Sequence, residues 1–491
     1  MDYYTIYQKE YSSHSKLFKE KIIQTLKSNL THILQICNTN EFNYKYTEMC
    51  YIFEYIKHKI PIFISNYVGL EKRDILLNFN LDSFDDNIYL FNILQELNVP
   101  DLIYWFFFHI PYFNGQKSNK DLQISRKLLI KIWQYIREHW DSKLNFESRT
   151  FLFITKTCHM VYPLCYHNLS NKRIQSEYSK TIRKICPDLN YTNPYLEVIK
   201  SSIKTSPKIK ICFISDFLVI NSSVLKDRMN IIINLPRDKF EVYYASSNYP
   251  NSKYIFANTL FKHPNLKNKF IKLPFEIHEA RKIIQEYNFH IIVYPDIGML
   301  PFQTFLAYSR LAPIQINTWG HSDTSGIDTV DYYFTSQLYE VDDIQEVETH
   351  YTEKPILFNS LSTYYTKPSQ IAKICNYNQP YSLKTRKELG LNYRQTIYWC
   401  LQSIYKFSDE FEKCLGRILS QDQNGILLLL DDGKFSRSHQ NRLYQNIGQE
   451  NFERVKFSGK TGMIEFINFH KISDVCLDIF PFGGCNTSLE A

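Results

Sequence analysis

Residues 473–491, SDVCLDIFPFGGCNTSLEA, predict a strand, a glycine-bearing turn and the start of a helix. Gly483 and Gly484 let the backbone approach a ligand closely, because glycine has no Cβ atom. Residues 486–488 offer side chains that commonly cap a helix, and the free N–H groups of a helix start attract anions. This β-α unit therefore predicts a parallel sheet with a phosphate site at the end of one strand.

The chain stops at Ala491, inside the predicted helix. A helix cut short leaves its apolar face uncovered, which is unfavourable for a natural end of a protein. We therefore expect a C-terminally truncated protein, either a fragment or the product of a disrupted gene.

Length and composition indicate a multidomain globular protein. At roughly 150 residues a domain, the 491 residues predict about three domains. A hydrophobic content of 44% with 22% charged residues is typical of a folded chain. The 11 cysteines include no C-x-x-C pair and fit neither a disulfide framework nor a zinc site. A reducing compartment, the cytoplasm, is therefore expected.

Charge and hydropathy disfavour two classes of partner. The net charge of +7 is spread thinly over 57 basic and 50 acidic residues, which disfavours nucleic-acid binding. The N-terminus lacks a basic start followed by an apolar run, so no secretory signal is predicted. The most apolar segment, residues 102–112, is too short to cross a bilayer and contains Pro111. It predicts a buried helix, and no membrane association is expected.

The first 205 residues predict an all-helical domain, either an irregular bundle or degenerate helical repeats. Apolar residues recur at three- and four-residue intervals in residues 17–37, 46–60, 90–97, 102–110, 122–140 and 151–162. Pro194, Pro207 and the Ser/Thr/Lys-rich stretch between them mark the boundary with the next domain.

From residue 206, short apolar runs alternate with helical segments, which indicates parallel β-α-β units. Residues 206–365 predict a first Rossmann-like domain, with strands at 209–214, 240–244, 290–294, 314–318 and 332–335. The stretch 342–391 is expected to be irregular, with a linker at 366–392. Residues 393–491 predict a second Rossmann-like domain, with strands at 396–401, 425–431, 455–458 and 475–478. Two such sheets place a cleft between their strand ends, where open α/β folds bind ligands.

The absence of several common motifs disfavours several classes of enzyme. Neither sheet begins with G-x-G-x-x-G after its first strand, which disfavours a nicotinamide dehydrogenase, and the P-loop and G-x-S-x-G motifs are also missing. Lys406 follows the strand at 396–401, where an ammonium group can neutralise a diphosphate as it leaves; the alternative is a surface lysine. Gln402 either hydrogen-bonds a base or sugar or caps the strand end.

Four motifs resemble those of the O-GlcNAc transferase family, which includes bacterial cytosolic N-glycosyltransferases. The longest is residues 311–336, LAPIQINTWGHSDTSGIDTVDYYFTS. The others are residues 215–217 (SDF), 402–406 (QSIYK) and 474–478 (DVCLD), in the order of the family pattern. Residues 294–299 and 480–483 look closer to the bacterial N-glycosyltransferase branch. The resemblance covers roughly residues 207–491.

The resemblance implies an α/β fold of the GT-B type, with two Rossmann-like domains, the second incomplete, after the all-helical domain. It implies an inverting transfer of GlcNAc or a hexose from a UDP-sugar donor to Ser/Thr or Asn side chains of a protein acceptor. Carried over by position, Lys406 contacts the donor diphosphate, Gln402 lies near the donor, and Cys485, Asn486 and Thr487 form the phosphate seat. No metal and no other cofactor are implied, since lysine and helix N–H groups can carry the leaving-group charge.

Two residues are catalytic candidates. His321 lies in the Gly-His-Ser-Asp turn of the longest motif, where it either orients a sugar or acceptor or pins the turn by hydrogen bonds. Asp296 follows the strand at 290–294 and is either an acid–base or acceptor-binding group or an exposed loop carboxylate.

The sequence also departs from the family pattern. Residues 218–223 carry no histidine where the animal enzymes have a histidine-rich turn, residues 463–469 lack the basic groups expected near the nucleotide, and Cys485 replaces a histidine. Two alternatives therefore stay open: a catalytically degenerate relative that acts as a binding or scaffold protein, and a helical interaction protein that regulates a partner.

Overall fold

The computed structural model describes residues 80, 82–96, 103–109, 119–146, 162–166, 168–218, 222–247, 263–266, 268–366, 385–388, 390–430, 436–458 and 463–491. The predicted helices at 17–37 and 46–60 lie outside the described residues, as does nearly all of the one at 151–162. Much of the predicted helical domain therefore lies outside the described residues.

The described residues before residue 206 form helices and turns. The α-helices are α1 (Phe84–Glu96), α2 (Asn119–His139), α3 (Lys172–Ile185) and α4 (Leu196–Ser202), with a π-helical turn at Trp105–His109. Shorter 3-10 turns lie at Ser142–Leu144, Tyr162–Tyr166 and Pro187–Leu189. The predicted helices at 90–97 and 122–140 are present, whereas residues 105–109 of the predicted apolar helix form the wider π turn.

The helical region packs directly on the first sheet. Ile174, Tyr178 and Ile182 of α3 recur at helical spacing and are almost completely buried. They belong to the same hydrophobic cluster as Phe302 and Phe305, which follow the fourth strand of the sheet. Leu164 of the turn at Tyr162–Tyr166 belongs to the same core.

The first sheet has seven parallel strands in the order β3-β2-β1-β4-β5-β6-β7. Its strands are β1 (Ile209–Ile214), β2 (Phe240–Ser246), β3 (Phe270–Lys272), β4 (Ile291–Tyr294), β5 (Ile314–Thr318), β6 (Tyr332–Ser336) and β7 (Lys354–Phe358). Its helices are α5 (Ser223–Asn234), α6 (Ile277–Tyr287), α7 (Pro301–Ala307) and α8 (Ile344–His350). Ser222 caps α5 by accepting a hydrogen bond from the N–H of Val224, as expected of a serine at a helix start.

The second sheet has four parallel strands in the order β10-β9-β8-β11. Its strands are β8 (Thr396–Ser403), β9 (Gly425–Leu430), β10 (Val455–Phe457) and β11 (Val475–Leu477). Its helices are α9 (Asp409–Gln421), α10 (Ser436–Ile447), α11 (Gln449–Phe452), α12 (Met463–Ile472) and α13 (Asn486–Glu490). β11 pairs with β8, so the end of the chain lies beside the residues that follow β8.

The strands predicted from the sequence are present within one or two residues, but the stretch 342–391 is not irregular throughout. It contains α8 and the edge strand β7, which pairs with β6. The strand signal of β7 is weak because Pro355 interrupts a run of only five residues, a pattern confined to sheet edges. No helix among the described residues combines the length and hydrophobicity needed to span a bilayer.

Candidate functional site

Lys406 and the glycine turn meet at the carboxyl ends of β8 and β11. The Nζ atom of Lys406 donates a hydrogen bond to Oε1 of Gln402 over 2.8 Å. The Nε2 atom of Gln402 donates to Oγ1 of Thr487 over 2.6 Å, and that hydroxyl donates to the carbonyl oxygen of Gly484 over 2.9 Å. This chain of hydrogen bonds fixes the ammonium group beside the turn, so the structure brings three of the predicted donor-binding residues together.

Asp478 holds the turn in place. Its carboxylate accepts hydrogen bonds from the N–H of Ile479 at 2.8 Å, from the hydroxyl of Ser488 at 2.7 Å and from the N–H of Gly484. A Cβ atom on Gly484 would lie 2.5 Å from Oγ1 of Thr487 and 2.6 Å from Oγ of Ser488. The second glycine of the turn is therefore required by close packing.

The predicted capping of the last helix by residues 486–488 is wrong. The N-cap of α13 is Cys485, which has φ 55° and makes no side-chain cap hydrogen bond. Asn486 instead donates to Oδ2 of Asp227 in α5 over 3.1 Å, while Thr487 and Ser488 bond Gln402 and Asp478. These three side chains therefore bond residues of other elements instead of the N–H groups of their own helix. Such partners are distant in sequence, so a local sequence pattern does not reveal them.

The helical region forms one wall of the site. The ammonium group of Lys406 lies 5.0 Å from the ring centroid of Tyr166 and 5.8 Å from that of Phe482. The two rings meet edge to face with centroids 5.0 Å apart. Sequence reasoning did not identify Tyr166, because no motif marks it and it is remote in sequence from Lys406.

Helix α5 of the first domain faces the same turn. Burial raises the pKa of the Asp227 carboxyl to about 6, against the opposing effect of the neighbouring Arg228. Burial also raises the pKa of the Cys485 thiol to about 12; Asp227 adds to this, whereas Arg228 and Lys406 oppose it. Cys485 therefore lies within the electrostatic influence of a cation from each domain.

A buried ion pair joins the two domains at this point. Lys226 of α5 contacts Oε1 of Glu490 in α13, and the hydroxyl of Tyr365 donates to the same oxygen over 2.7 Å. Both charged side chains are at most one-tenth exposed. Together with the bond between Asn486 and Asp227, the pair holds the terminal helix against the first domain.

His321 is buried where the loops after β4 and β5 meet. A Cβ atom on Gly298 would lie 3.1 Å from Nδ1 of His321, so the imidazole packs on the bare backbone of that glycine. The hydroxyl of Tyr333 donates to the carbonyl oxygen of His321 over 3.1 Å. This placement favours the interpretation that His321 pins the turn, while its catalytic role stays a prediction.

Asp296 is fully buried, so the expectation of an exposed loop carboxylate is wrong. Burial raises the pKa of its carboxyl well above the ordinary value, and the nearby Asp216 raises it further, against an opposing hydrogen bond from Ser215. A base must also lie within hydrogen-bond reach of the group whose proton it takes. The acid–base role of Asp296 stays a prediction, and its burial argues against direct contact with an acceptor.

Asp323, two residues after His321, connects the same motif to the helical region. Its Oδ2 atom accepts a hydrogen bond from Gln175 of α3 at 3.4 Å, and its Oδ1 atom accepts one from the N–H of Thr324 at 3.0 Å. Burial raises the pKa of Asp323 to about 7. A small cavity beside it is lined by Gln175, Tyr178, Gly298, Thr304, Tyr308 and His321, among others.

Within the described part of the chain, no group of three or more His, Cys, Asp or Glu side chains is arranged to hold a metal ion. A donor site without metal stays a prediction from the sequence. Lys406 and Arg228 are two cationic groups near the turn that can oppose a phosphate charge.

No protein-family model matches the chain, and no curated protein sequence does. The structure is similar to that of a mutant O-GlcNAc transferase from Thermobaculum terrenum, with a TM-score of 0.52 and 15% identity over 89% of this chain and 80% of that chain. This similarity confirms the predicted fold, two Rossmann-like domains of the GT-B type.

Two further matches each cover 55% of this chain, at a TM-score of 0.33. They are a glycosyltransferase from Rickettsia africae, 13% identical over 73% of its chain, and the sucrose-phosphate synthase of Thermosynechococcus elongatus, 15% identical over 75%. Scores of this size do not establish a common fold.

Proposed function

On the premise of a fold shared with an O-GlcNAc transferase, we propose that this protein is a cytoplasmic glycosyltransferase with a UDP-sugar donor. It transfers GlcNAc or a hexose, with inversion, to Ser/Thr or Asn side chains of a protein acceptor. The proposed donor sugar, acceptor and stereochemistry are inferred from the four motifs that resemble those of the family. The geometry of the site supports only the binding of the donor.

The observation that carries the proposal is the placement of Lys406. It lies just after β8, its ammonium group is oriented by Gln402, and Gln402 is bonded to Thr487 of the glycine turn. Departure of UDP leaves negative charge on a phosphate oxygen. A cation fixed in advance near that oxygen stabilises the transition state without reorganising, which is the largest effect that such sites supply.

A second candidate function is donor binding without transfer. The burial of both predicted catalytic residues favours it, since His321 is 4% exposed and Asp296 is 0% exposed. In that case the donor-side residues would still bind UDP, but the chain would lack a base that reaches an acceptor.

Incubation with radiolabelled UDP-GlcNAc or UDP-glucose and a cell extract as the source of acceptors separates the two candidates. Label transferred to protein at similar rates by the native chain and by Lys413→Ala, an exposed-lysine control, and at a strongly reduced rate by Lys406→Ala, supports the transferase. UDP binding measured by calorimetry without any transfer supports the binding protein. Folded protein that neither transfers label nor binds UDP would overturn both.

A further inference from the structure

Arg228 is a buried cation that the family motifs do not include. It lies in α5 and is only 2% exposed. Its Nη1 atom donates to the carbonyl oxygen of Ser362 over 2.7 Å. The Nε and Nη2 atoms have no hydrogen-bond partner among the described residues.

Those two atoms form one edge of the guanidinium group. Nε–H and Nη2–H point in parallel, and this edge is a two-donor fork that matches the spacing of two phosphate or carboxylate oxygens. Buried donor atoms without hydrogen-bond partners are unfavourable, even with the Asp227 carboxyl nearby. The anchored Nη1 and the unpaired fork are therefore the arrangement expected of an arginine that receives an anion.

The neighbours of Arg228 indicate the kind of anion. Asp227, the residue before Arg228, accepts a hydrogen bond from Asn486 over 3.1 Å, which places this part of α5 against the glycine turn. Arg228 and Lys406 both act on the Cys485 thiol, from opposite domains. An anion at the turn would therefore be attracted by both cations.

Two unpaired acceptor atoms lie where α5 meets the start of α13. The Oδ1 atoms of Asp227 and Asn486 are buried and have no hydrogen-bond partner among the described residues. A bare anion would be repelled by these oxygens, whereas hydroxyl groups would donate to them. The combination of a two-donor fork with nearby acceptors fits a phosphate that is attached to a sugar.

We propose that Arg228 is a donor-binding residue whose Nε–Nη2 fork binds the diphosphate of a nucleoside diphosphate sugar from the first domain, opposite Lys406. The proposal deepens the proposed function and rests on it. The ligand then bridges α5 and the glycine turn, in addition to the direct contacts of Asn486 with Asp227 and of Lys226 with Glu490.

The test measures affinity by calorimetry for three probes: UDP, inorganic pyrophosphate and uridine. Arg228→Gln is expected to weaken UDP and pyrophosphate at least about tenfold and to leave uridine unchanged, because uridine carries no phosphate. Arg228→Lys keeps the charge but not the fork, so an intermediate loss is expected. Arg281→Gln is the matched control, since Arg281 is also 2% exposed but donates through Nε to Ser309 in another part of the domain.

The outcomes are distinct. If Arg228→Gln binds UDP and pyrophosphate as the native chain does, or if the native chain binds neither, the assignment is overturned. If Arg228→Gln does not fold, Arg228→Lys decides: unchanged pyrophosphate affinity overturns the proposal, and a selective loss supports it. Arginine-dependent pyrophosphate binding without sugar transfer supports the phosphate site and contradicts the proposed transferase.

Discussion

Gly320 packs against the carbonyl group of Pro295 so closely that a Cβ atom on Gly320 would lie 1.9 Å from the carbonyl oxygen. The same Cβ atom would lie 3.0 Å from the carbonyl carbon of Pro295. Since backbone atoms cannot rotate away as a side chain can, the loops after β4 and β5 approach each other only with glycine at this position. This contact places His321 against Gly298.

Gly320→Ala is therefore expected to destabilise the first domain by about 1–3 kcal/mol, the usual cost of an overpacked site. Urea denaturation followed by circular dichroism measures the change. Gly483→Ala is the matched control, because its Cβ atom would lie 3.4 Å from the Asp478 carboxylate, an ordinary contact. Equal stability of the two variants would contradict the close approach.

Gln402→Leu is expected to lower kcat about tenfold, because Lys406 loses an acceptor that orients its ammonium group towards the leaving diphosphate. The effect should vanish when Lys406 is already alanine, since the two residues act as a unit. A double-mutant cycle on the transfer rate measures the coupling. Gln423→Leu, at an exposed glutamine in the same domain, serves as the control. Additive effects of the Gln402 and Lys406 substitutions on the transfer rate would contradict the orienting role of Gln402.

Tyr166→Leu is expected to weaken UDP binding by a few-fold, whereas Tyr166→Phe should be close to the native chain. An aromatic face near an ammonium group contributes about 0.5–2 kcal/mol, and phenylalanine retains that face. Affinity for UDP, measured by calorimetry on both variants, checks the role of the helical region. Equal losses for leucine and phenylalanine would assign the effect to the hydroxyl group instead.

Asp323 predicts a pH dependence of stability. Its pKa is raised from 3.8 to about 7, so between these values the folded chain holds a proton that the unfolded chain releases. The stability from this proton is complete below about pH 4 and is lost as the pH rises towards about 7. The stability of Asp323→Asn minus that of the native chain, as a free energy of unfolding, should therefore be larger at about pH 7.5 than at about pH 5.5. The expected increase is on the order of 1 kcal/mol.

Urea denaturation of both proteins at the two pH values provides the measurement. Asp227 also has a pKa raised to about 6, so only the difference between native chain and variant isolates Asp323. A difference that does not change with pH would show that Asp323 is ionised in the folded protein throughout this range.

The architecture was largely predictable from the sequence. Short apolar runs separated by helical spacing mark β1, β2, β4 and β5, because alternation between strand and helix periodicity is a local property. The strand β3 was missed because three residues are too few to show a period. Lys406, Gln402 and Thr487 were predicted from their places after strands together with the family motifs, and the structure joins them by hydrogen bonds.

The sequence by itself indicated the two parallel sheets, a lysine after the first strand of the second sheet and a glycine turn after its last strand, whereas the pairing of these two strands as neighbours came from the structure. Only the tertiary structure decided which side chains surround that turn. Asn486 bonds Asp227 across 259 positions of the chain, and Tyr166 reaches Lys406 from the helical region. Strand periodicity and turn chemistry act between near neighbours and are visible in sequence, whereas contacts between domains depend on how whole elements pack and leave no local pattern.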